Sequence, residues 1–209
     1  YYGEALREYA KALELGEDAA LVRQAMAEVH LLRRESRRAV ALYDELLDSQ
    51  RDSAKLWNER GVALHQDGRF GEAEESYRCA VAAEPGYALA HNNLGVALYH
   101  RADVEGAVGA FRVALEAQPG FVKARLNLAL LLSKGKRFQH ALEAYRVVLH
   151  ASPEDPSAWN GVGLVLAELR RFEDARNAFA RAVQARPRTS LARRDRKPGD
   201  LVAADTPVT

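Results

Sequence analysis

The chain is predicted to be all-α, a right-handed α-solenoid of antiparallel helix pairs. Three observations predict it. Pro85, Pro119, Pro153 and Pro187 stand 34 residues apart. Ala5, Ala39, Ala73, Ala107, Ala141 and Ala175 keep the same spacing. Four residues after each alanine comes an aromatic: Tyr9, Tyr43, Tyr77, Phe111, Tyr145 and Phe179. A period of that length marks stacked helical hairpins, each too small to bury its apolar face alone. The period never slips, so no insertion interrupts the array.

Residues 1–19 hold the second helix of an incomplete unit, read over 3–15 from Ala5, Tyr9 and Ala12. Unit 20–53 is degenerate but keeps Ala39, Tyr43 and Leu46. Unit 54–87 is the clearest. Trp57, Arg60-Gly61 and Leu64 recur every three or four residues on one helical face. Asp67-Gly68 is a turn signal, and Phe70, Ala73, Tyr77, Ala80 and Val81 mark the apolar face of a second helix. Pro85-Gly86 ends that helix, because proline cannot continue it and glycine tolerates the reversal. Units 88–121, 122–155 and 156–189 repeat the pattern. Small residues at Gly61, Gly95, Ala129 and Gly163 let each first helix approach its neighbour. Residues 190–209 open with a basic stretch, Ser190 to Lys197, that can start a helix until Pro198-Gly199 stops it. The remainder is read either as a mobile tail or as a segment docking through Leu201-Val202.

Composition narrows the function classes. The net charge is +1, which argues against a polyanion-binding surface over the whole molecule. The lone Cys79 excludes an internal disulfide framework. An apolar content of 48% excludes wholesale disorder. No apolar run approaches the roughly 20 residues needed to span a bilayer. Arginine far outnumbers lysine, as expected of a GC-rich bacterial genome. A cytoplasmic location is expected, with an upstream signal left open because the chain starts at Tyr1, inside a unit.

The motif residues resemble the tetratricopeptide repeat, whose pattern is an aromatic, Leu-Gly, Tyr, then Ala, an aromatic, Ala and Pro. Unit 54–87 carries Trp57, Gly61, Ala73, Tyr77, Ala80 and Pro85. Unit 88–121 carries Leu94-Gly95, Ala107, Phe111, Ala114 and Pro119. Unit 122–155 carries Ala141, Tyr145 and Pro153, and unit 156–189 carries Trp159, Gly163, Ala175, Phe179, Ala182 and Pro187. Unit 20–53 departs from it at Arg23, Ala27 and Arg51. The resemblance covers five full repeats and a half repeat, and it implies a protein–protein interaction fold.

No catalytic constellation emerges, and no cofactor or metal is expected. Gly161-Val162-Gly163 lies inside a helix and is explained by close packing. His65 and His100 can approach on adjacent first helices, but no third ligand accompanies them, so solvated groove or rim histidines are expected. Cys79, next to the inward Ala80, is expected to pack as a small side chain. Glu74-Glu75 and Glu173-Asp174 start second helices, where negative charge suits the dipole. The basic clusters Arg33, Arg34, Arg37, Arg38 and Arg186, Arg188, Arg193, Arg194, Arg196, Lys197 read as solvated surface or as contacts to phosphate or acid.

The first helices are expected to line the inner wall of a curved ribbon. Resembling proteins imply which residues point outward. Val62, Val96, Leu130 and Leu164 would form an apolar ladder, read either as a ligand surface or as packing between units. Asn58, Asn92, Asn93, Asn127 and Asn160 would form an amide ladder facing a peptide backbone. Asn93 and Asn127 are similar to the asparagine ladder of the superhelical part of O-linked N-acetylglucosamine transferase, although Glu59 and Gly161 interrupt it. Lys55, His65, His100, Lys123 and Lys134, with Tyr99 beside them, favour an acidic segment. The carboxylate clamp of chaperone-tail binders is not matched, since Val62 and Val96 stand in its places. The expected function is thus a non-enzymatic scaffold or adaptor binding a peptide or protein segment in the groove. The alternatives are self-assembly through an uncapped end and the recruiting part of a larger enzyme such as a glycosyltransferase. Membrane insertion is not expected, and nucleic acid is a minor alternative.

Overall fold

The computed structural model describes residues 1–185. Eleven α-helices follow one another there: α1 (Tyr2–Glu14), α2 (Ala19–Leu32), α3 (Ser36–Ser49), α4 (Ala54–Gln66), α5 (Phe70–Ala83), α6 (Ala88–His100), α7 (Val104–Ala117), α8 (Val122–Lys134), α9 (Phe138–Ala151), α10 (Pro156–Glu168) and α11 (Phe172–Gln184). No strand occurs among the described residues. The all-α solenoid class is therefore the one the period predicts. The possible helix from Ser190, the arginines from Arg186 onward and the docking of Leu201-Val202 lie outside the described residues.

The chain forms two compact units, one ending at Ala107 and one beginning at Val108. In the first, α1 packs on α2, α2 on α3, α3 on α4, α4 on α5 and α5 on α6. In the second, α8 pairs with α9, α9 packs on α10, and α10 pairs with α11.

The even-numbered helices end differently from α3, α5 and α9, for reasons legible in the backbone, and α1 ends as the even-numbered ones do, at Gly16. After α2, α4, α6, α8 and α10 one residue takes the left-handed conformation: Arg34, Gly68, Ala102, Lys136 and Arg170. Each such turn carries the same two bonds. After α6, Ala102 N–H donates to the Tyr99 carbonyl at 2.9 Å and Asp103 N–H to that of Leu98 at 2.9 Å. This is the Schellman closure, which satisfies carbonyls that the last helical turn leaves open. After α3, α5 and α9 the cap residue Gln50, Glu84 or Ser152 leaves helical geometry instead. A tight turn follows, in which Tyr87 N–H donates to Glu84 at 3.0 Å and Asp155 N–H to Ser152 at 3.0 Å.

A side chain one turn into the next helix then holds that turn. Trp57 Nε1–H donates to the Arg51 carbonyl at 2.7 Å, and Trp159 Nε1–H to that of Pro153 at 2.7 Å. At the equivalent places an His91 ring nitrogen meets the Pro85 carbonyl at 2.8 Å, and the Arg125 guanidinium donates to Pro119 at 2.7 Å. Four positions 34 residues apart thus do one job with three residue types. What they share is a planar side chain bearing an N–H at the right reach.

The core follows the aromatic register. Tyr43, Tyr77, Phe111 and Tyr145 are buried, as are Ala39, Ala73, Ala107, Ala141 and Ala175. The glycines show why they are small. A Cβ at Gly61 would lie 2.5 Å from Tyr77 Cε1, and one at Gly163 would lie 2.5 Å from Phe179 Cε1. Gly161 stands equally close under the ring of Tyr145. The small residues therefore admit a ring from a second helix. In the second unit Ala129, Leu132, Ala141, Tyr145, Val148, Ala158 and Val165 form one apolar cluster. No α1 residue is buried, and Tyr9 and Phe179, in α1 and α11, are only half-buried where Tyr43, Tyr77, Phe111 and Tyr145 are covered.

Candidate functional site

The first helices of the hairpins carry the residues singled out for binding. In the first unit these are α4 and α6, which touch each other. Lys55 and His100 are exposed, while Val62, His65 and Tyr99 are half-buried. In the second unit α8 and α10 carry Lys134, exposed, and Lys123, Leu130 and Asn160, half-buried. Leu164 on α10 is 37% exposed.

The amides depart from the expected arrangement. Asn58, Asn92 and Asn93 are fully buried and Asn127 is 1% exposed. Asn92 Nδ2 donates to Asn93 Oδ1 at 3.3 Å, and Asn93 Nδ2 donates to Asn58 Oδ1 at 3.0 Å. Amides on neighbouring parallel helices find each other, because a buried amide must satisfy donor and acceptor together. They link α6 to α4, and the expected open amide surface reduces to Asn160. Asn58 Nδ2 has no partner, a buried donor left unused. The apolar ladder is also uneven: Val96 is buried at 1% exposure, whereas Leu164 is open.

The histidines are not all solvated. His65 and His100 do meet, with ring centroids 5.2 Å apart, edge to face. Phe70 completes the cluster, stacked on His100 at 4.5 Å and edge-on to His65 at 4.9 Å. Burial, with the neighbouring His100 as the lesser cause, lowers His65 to about 4, so it is neutral at physiological pH. His30 is buried, and its Nδ1 lies 2.6 Å from Glu35 Oε2. That hydrogen bond, with Arg33 and Arg38 nearby, holds the Glu35 carboxyl below its usual range. Among the described residues no group of three or more His, Cys, Asp or Glu is placed to hold a metal ion.

Two acids are buried that the sequence marked only as surface. Glu59 is 1% exposed on α4. Burial raises the Tyr43 and Tyr87 hydroxyls, with nearby Glu59 as the lesser cause; Tyr87 is pushed up to about 12. A carboxyl therefore stands inside the first unit, close to where Lys55, His65 and His100 are expected to bias the groove toward positive. Glu74 is nearly covered and takes Arg78 one turn on and Arg101, the latter at 2.7 Å. The arginine beyond α6 was the available signal, since a buried carboxylate needs such partners. Cys79 is exposed on α5 rather than packed. It follows Tyr77 by two residues, which turns it about 200° from the core face. The first arginine cluster is largely neutralised: Arg33 and Arg38 pair with Glu35 at 2.9 and 3.2 Å, and Arg37 pairs with Asp67 at 3.6 Å.

Among the described residues no helix is long and apolar enough to cross a membrane. A tetratricopeptide repeat model matches residues 25–88, 68–120 and 122–190. Solved structures share the fold at low identity. YrrB, described as a TPR protein with an unusual peptide-binding site, is 21% identical with a TM-score of 0.65, over 87% of this chain and 93% of its own. MamA from Desulfovibrio magneticus is 17% identical with a TM-score of 0.71, over 80% and 95%. PilW, a type IV pilus biogenesis factor, is 22% identical with a TM-score of 0.72, over 81% and 78%. No curated protein matches the sequence.

Proposed function

The chain belongs to the tetratricopeptide repeat family, and from that premise we propose that it is a non-enzymatic scaffold whose first helices hold a peptide or protein segment. The carrying observation is the row of first-helix residues that the hairpins leave uncovered. In the first unit the contact surface is Lys55, Val62, Tyr99 and His100. In the second it is Lys123, Leu130, Lys134, Asn160 and Leu164. Each surface mixes cations with apolar side chains, which suits a segment carrying both acidic and apolar residues. The buried amides act behind the surface. Asn93 and Asn58 fix α6 against α4, so their neighbours are presented at constant spacing.

The test is a displayed library of random peptides panned against the protein. Peptides should be enriched whose affinity falls on Lys55→Glu or on Leu164→Asp, with helicity unchanged. Enriched peptides that ignore both changes, or no enrichment at all, would remove the first helices from the account.

A second reading, self-association, is favoured by one observation. Tyr9 on α1 and Phe179 on α11 stay half-buried where Tyr43, Tyr77, Phe111 and Tyr145 are covered, so each of these helices keeps an apolar face for a second copy. Sedimentation equilibrium decides it: a strict monomer at high concentration excludes this reading.

A further inference from the structure

The turns that close the first helices of the second unit carry a charge pattern unlike those of the first. In the first unit most cations at these turns have acids beside them, and Arg34 is the exception. Arg33 and Arg38 share Glu35, Arg37 faces Asp67, Arg69 holds Glu72 at 2.5 Å, and Arg101 reaches Glu74. In the second unit, Lys136 and Arg137 follow α8, and Arg170 follows α10. All three are exposed, and none has a carboxylate within ion-pair distance among the described residues. Lys134 and His140 stand exposed beside them. Only Arg171 is paired, to Asp174 at 2.6 Å. Glu168, the one acid in the α10 turn, makes no ion pair with Arg170.

Topology puts these residues on one edge. α8 and α10 are both first helices, run parallel and touch, so their closing turns emerge side by side. Lys136 and Arg170 hold equivalent places, both in left-handed backbone at φ 58°. The equivalent places in the first unit hold Arg34, Gly68 and Ala102, so an isolated cation stands there once in the first unit, whereas in the second unit the two adjacent turns both carry one. Next to Arg171 stands Phe172, a residue 63% exposed.

We infer that this turn edge, comprising Lys136, Arg137 and Arg170 with Phe172 at its end, docks a short carboxylate-rich protein segment carrying an apolar residue. Three free cations with an adjacent ring match a few acidic side chains spaced along a peptide. A nucleic acid fits less well. Its affinity grows with the number of phosphates neutralised, and three cations neutralise few of them. The edge adjoins the second unit's first-helix surface at Lys134 but shares none of its four residues with it, so either can hold without the other.

The experiment uses the full chain and a fluorescein-labelled glutamate-rich peptide containing one leucine, titrated by anisotropy at low and high salt. The variant is Lys136→Glu/Arg137→Glu/Arg170→Glu, all at exposed positions, with its fold checked by circular dichroism. Saturable binding that weakens with salt and falls roughly tenfold in the triple variant is expected, as for the loss of three exposed ion pairs. A single-stranded oligonucleotide of equal charge and vesicles of anionic lipid serve as comparison probes. Absent peptide binding, binding indifferent to the triple change, or preference for the oligonucleotide or the vesicles would each overturn the inference. Loss of binding on Lys55→Glu without loss in the triple variant would also overturn it, and would return the peptide to the first-helix surface.

Discussion

Glycine-to-alanine changes should act with opposite sign at two sites of this chain. In a helix interior, alanine in place of glycine gains about 0.5–1 kcal/mol, because glycine loses more backbone freedom on folding. Gly109 in α7 meets that condition, since an added Cβ would find no heavy atom within 4 Å. Gly109→Ala should therefore stabilise by about that amount. Gly61 does not. Its added Cβ would lie 2.5, 2.7 and 2.9 Å from Cε1, Cδ1 and Cζ of Tyr77. Carbon atoms rest at roughly 3.5–4.0 Å, so the ring would have to retreat by about 1 Å. Tyr77 is fully buried and has nowhere to go. Overpacking of this kind costs about 1–3 kcal/mol, which outweighs the helix gain. Gly61→Ala should thus lose about 1–2 kcal/mol net. Gly163→Ala should lose less, because Phe179 beneath it is only half-buried and can swing. Urea unfolding followed by far-UV circular dichroism measures all three. Should Gly61→Ala stabilise as Gly109→Ala does, the glycine is not there to admit the ring, and the account of repeat packing is wrong.

Three further outcomes are expected. Asn93→Ala should destabilise by about 1–3 kcal/mol, since it strips a buried Asn58 of its partner, while the exposed Lys55→Ala should stay within about 0.5 kcal/mol in the same urea assay. His65 should make stability depend on pH. Its folded value near 4 lies below the ordinary 6.5, so the unfolded chain binds the extra proton between them and stability falls as pH drops through that window. The loss is up to about 3 kcal/mol, and unfolding of His65→Leu between pH 7 and pH 4 should be correspondingly flatter. Ala102→Gly should raise stability by about 0.5–1 kcal/mol, the left-handed penalty of alanine less the entropy cost of glycine, read as a higher melting midpoint.

Much of the architecture was legible because the spacing of Ala, aromatic and Pro reports directly on which faces must be covered. The turn at Gly68 was readable from Asp67-Gly68, yet Arg34, Ala102, Lys136 and Arg170 adopt the same left-handed backbone without any residue that announces it. They are carried there by the closing bonds of the helix before them. The common role of Trp57, His91, Arg125 and Trp159 was hidden for a related reason. Side chains of different type share a reach and an N–H, which a pattern of residue names does not show.

The candidate site was legible only in outline. Periodicity named the first helices, the family resemblance implied that Lys55, His100 and Lys134 lie on their open side, and they do lie exposed, because a charged or polar side chain seldom loses its water. The same resemblance misplaced the asparagines. An amide is equally at home against solvent and against another amide, and composition carries no preference between them. Which partner it meets depends on how closely α4 and α6 approach, and that distance is set by packing throughout the hairpins.

By itself the order of residues determined that this protein is a tandem array of helix pairs, since burial of repeated apolar faces admits little else. Only the tertiary structure decided which polar groups are spent in holding the array together and which remain for a partner. Glu59, Glu74, His30 and the amide chain from Asn92 to Asn58 lie inside, whereas Lys136, Arg137 and Arg170 lie free at an edge. The physical reason is that a polar side chain is stable wherever its charge or hydrogen bonds are matched. Matching is a property of neighbours brought from elsewhere in the chain.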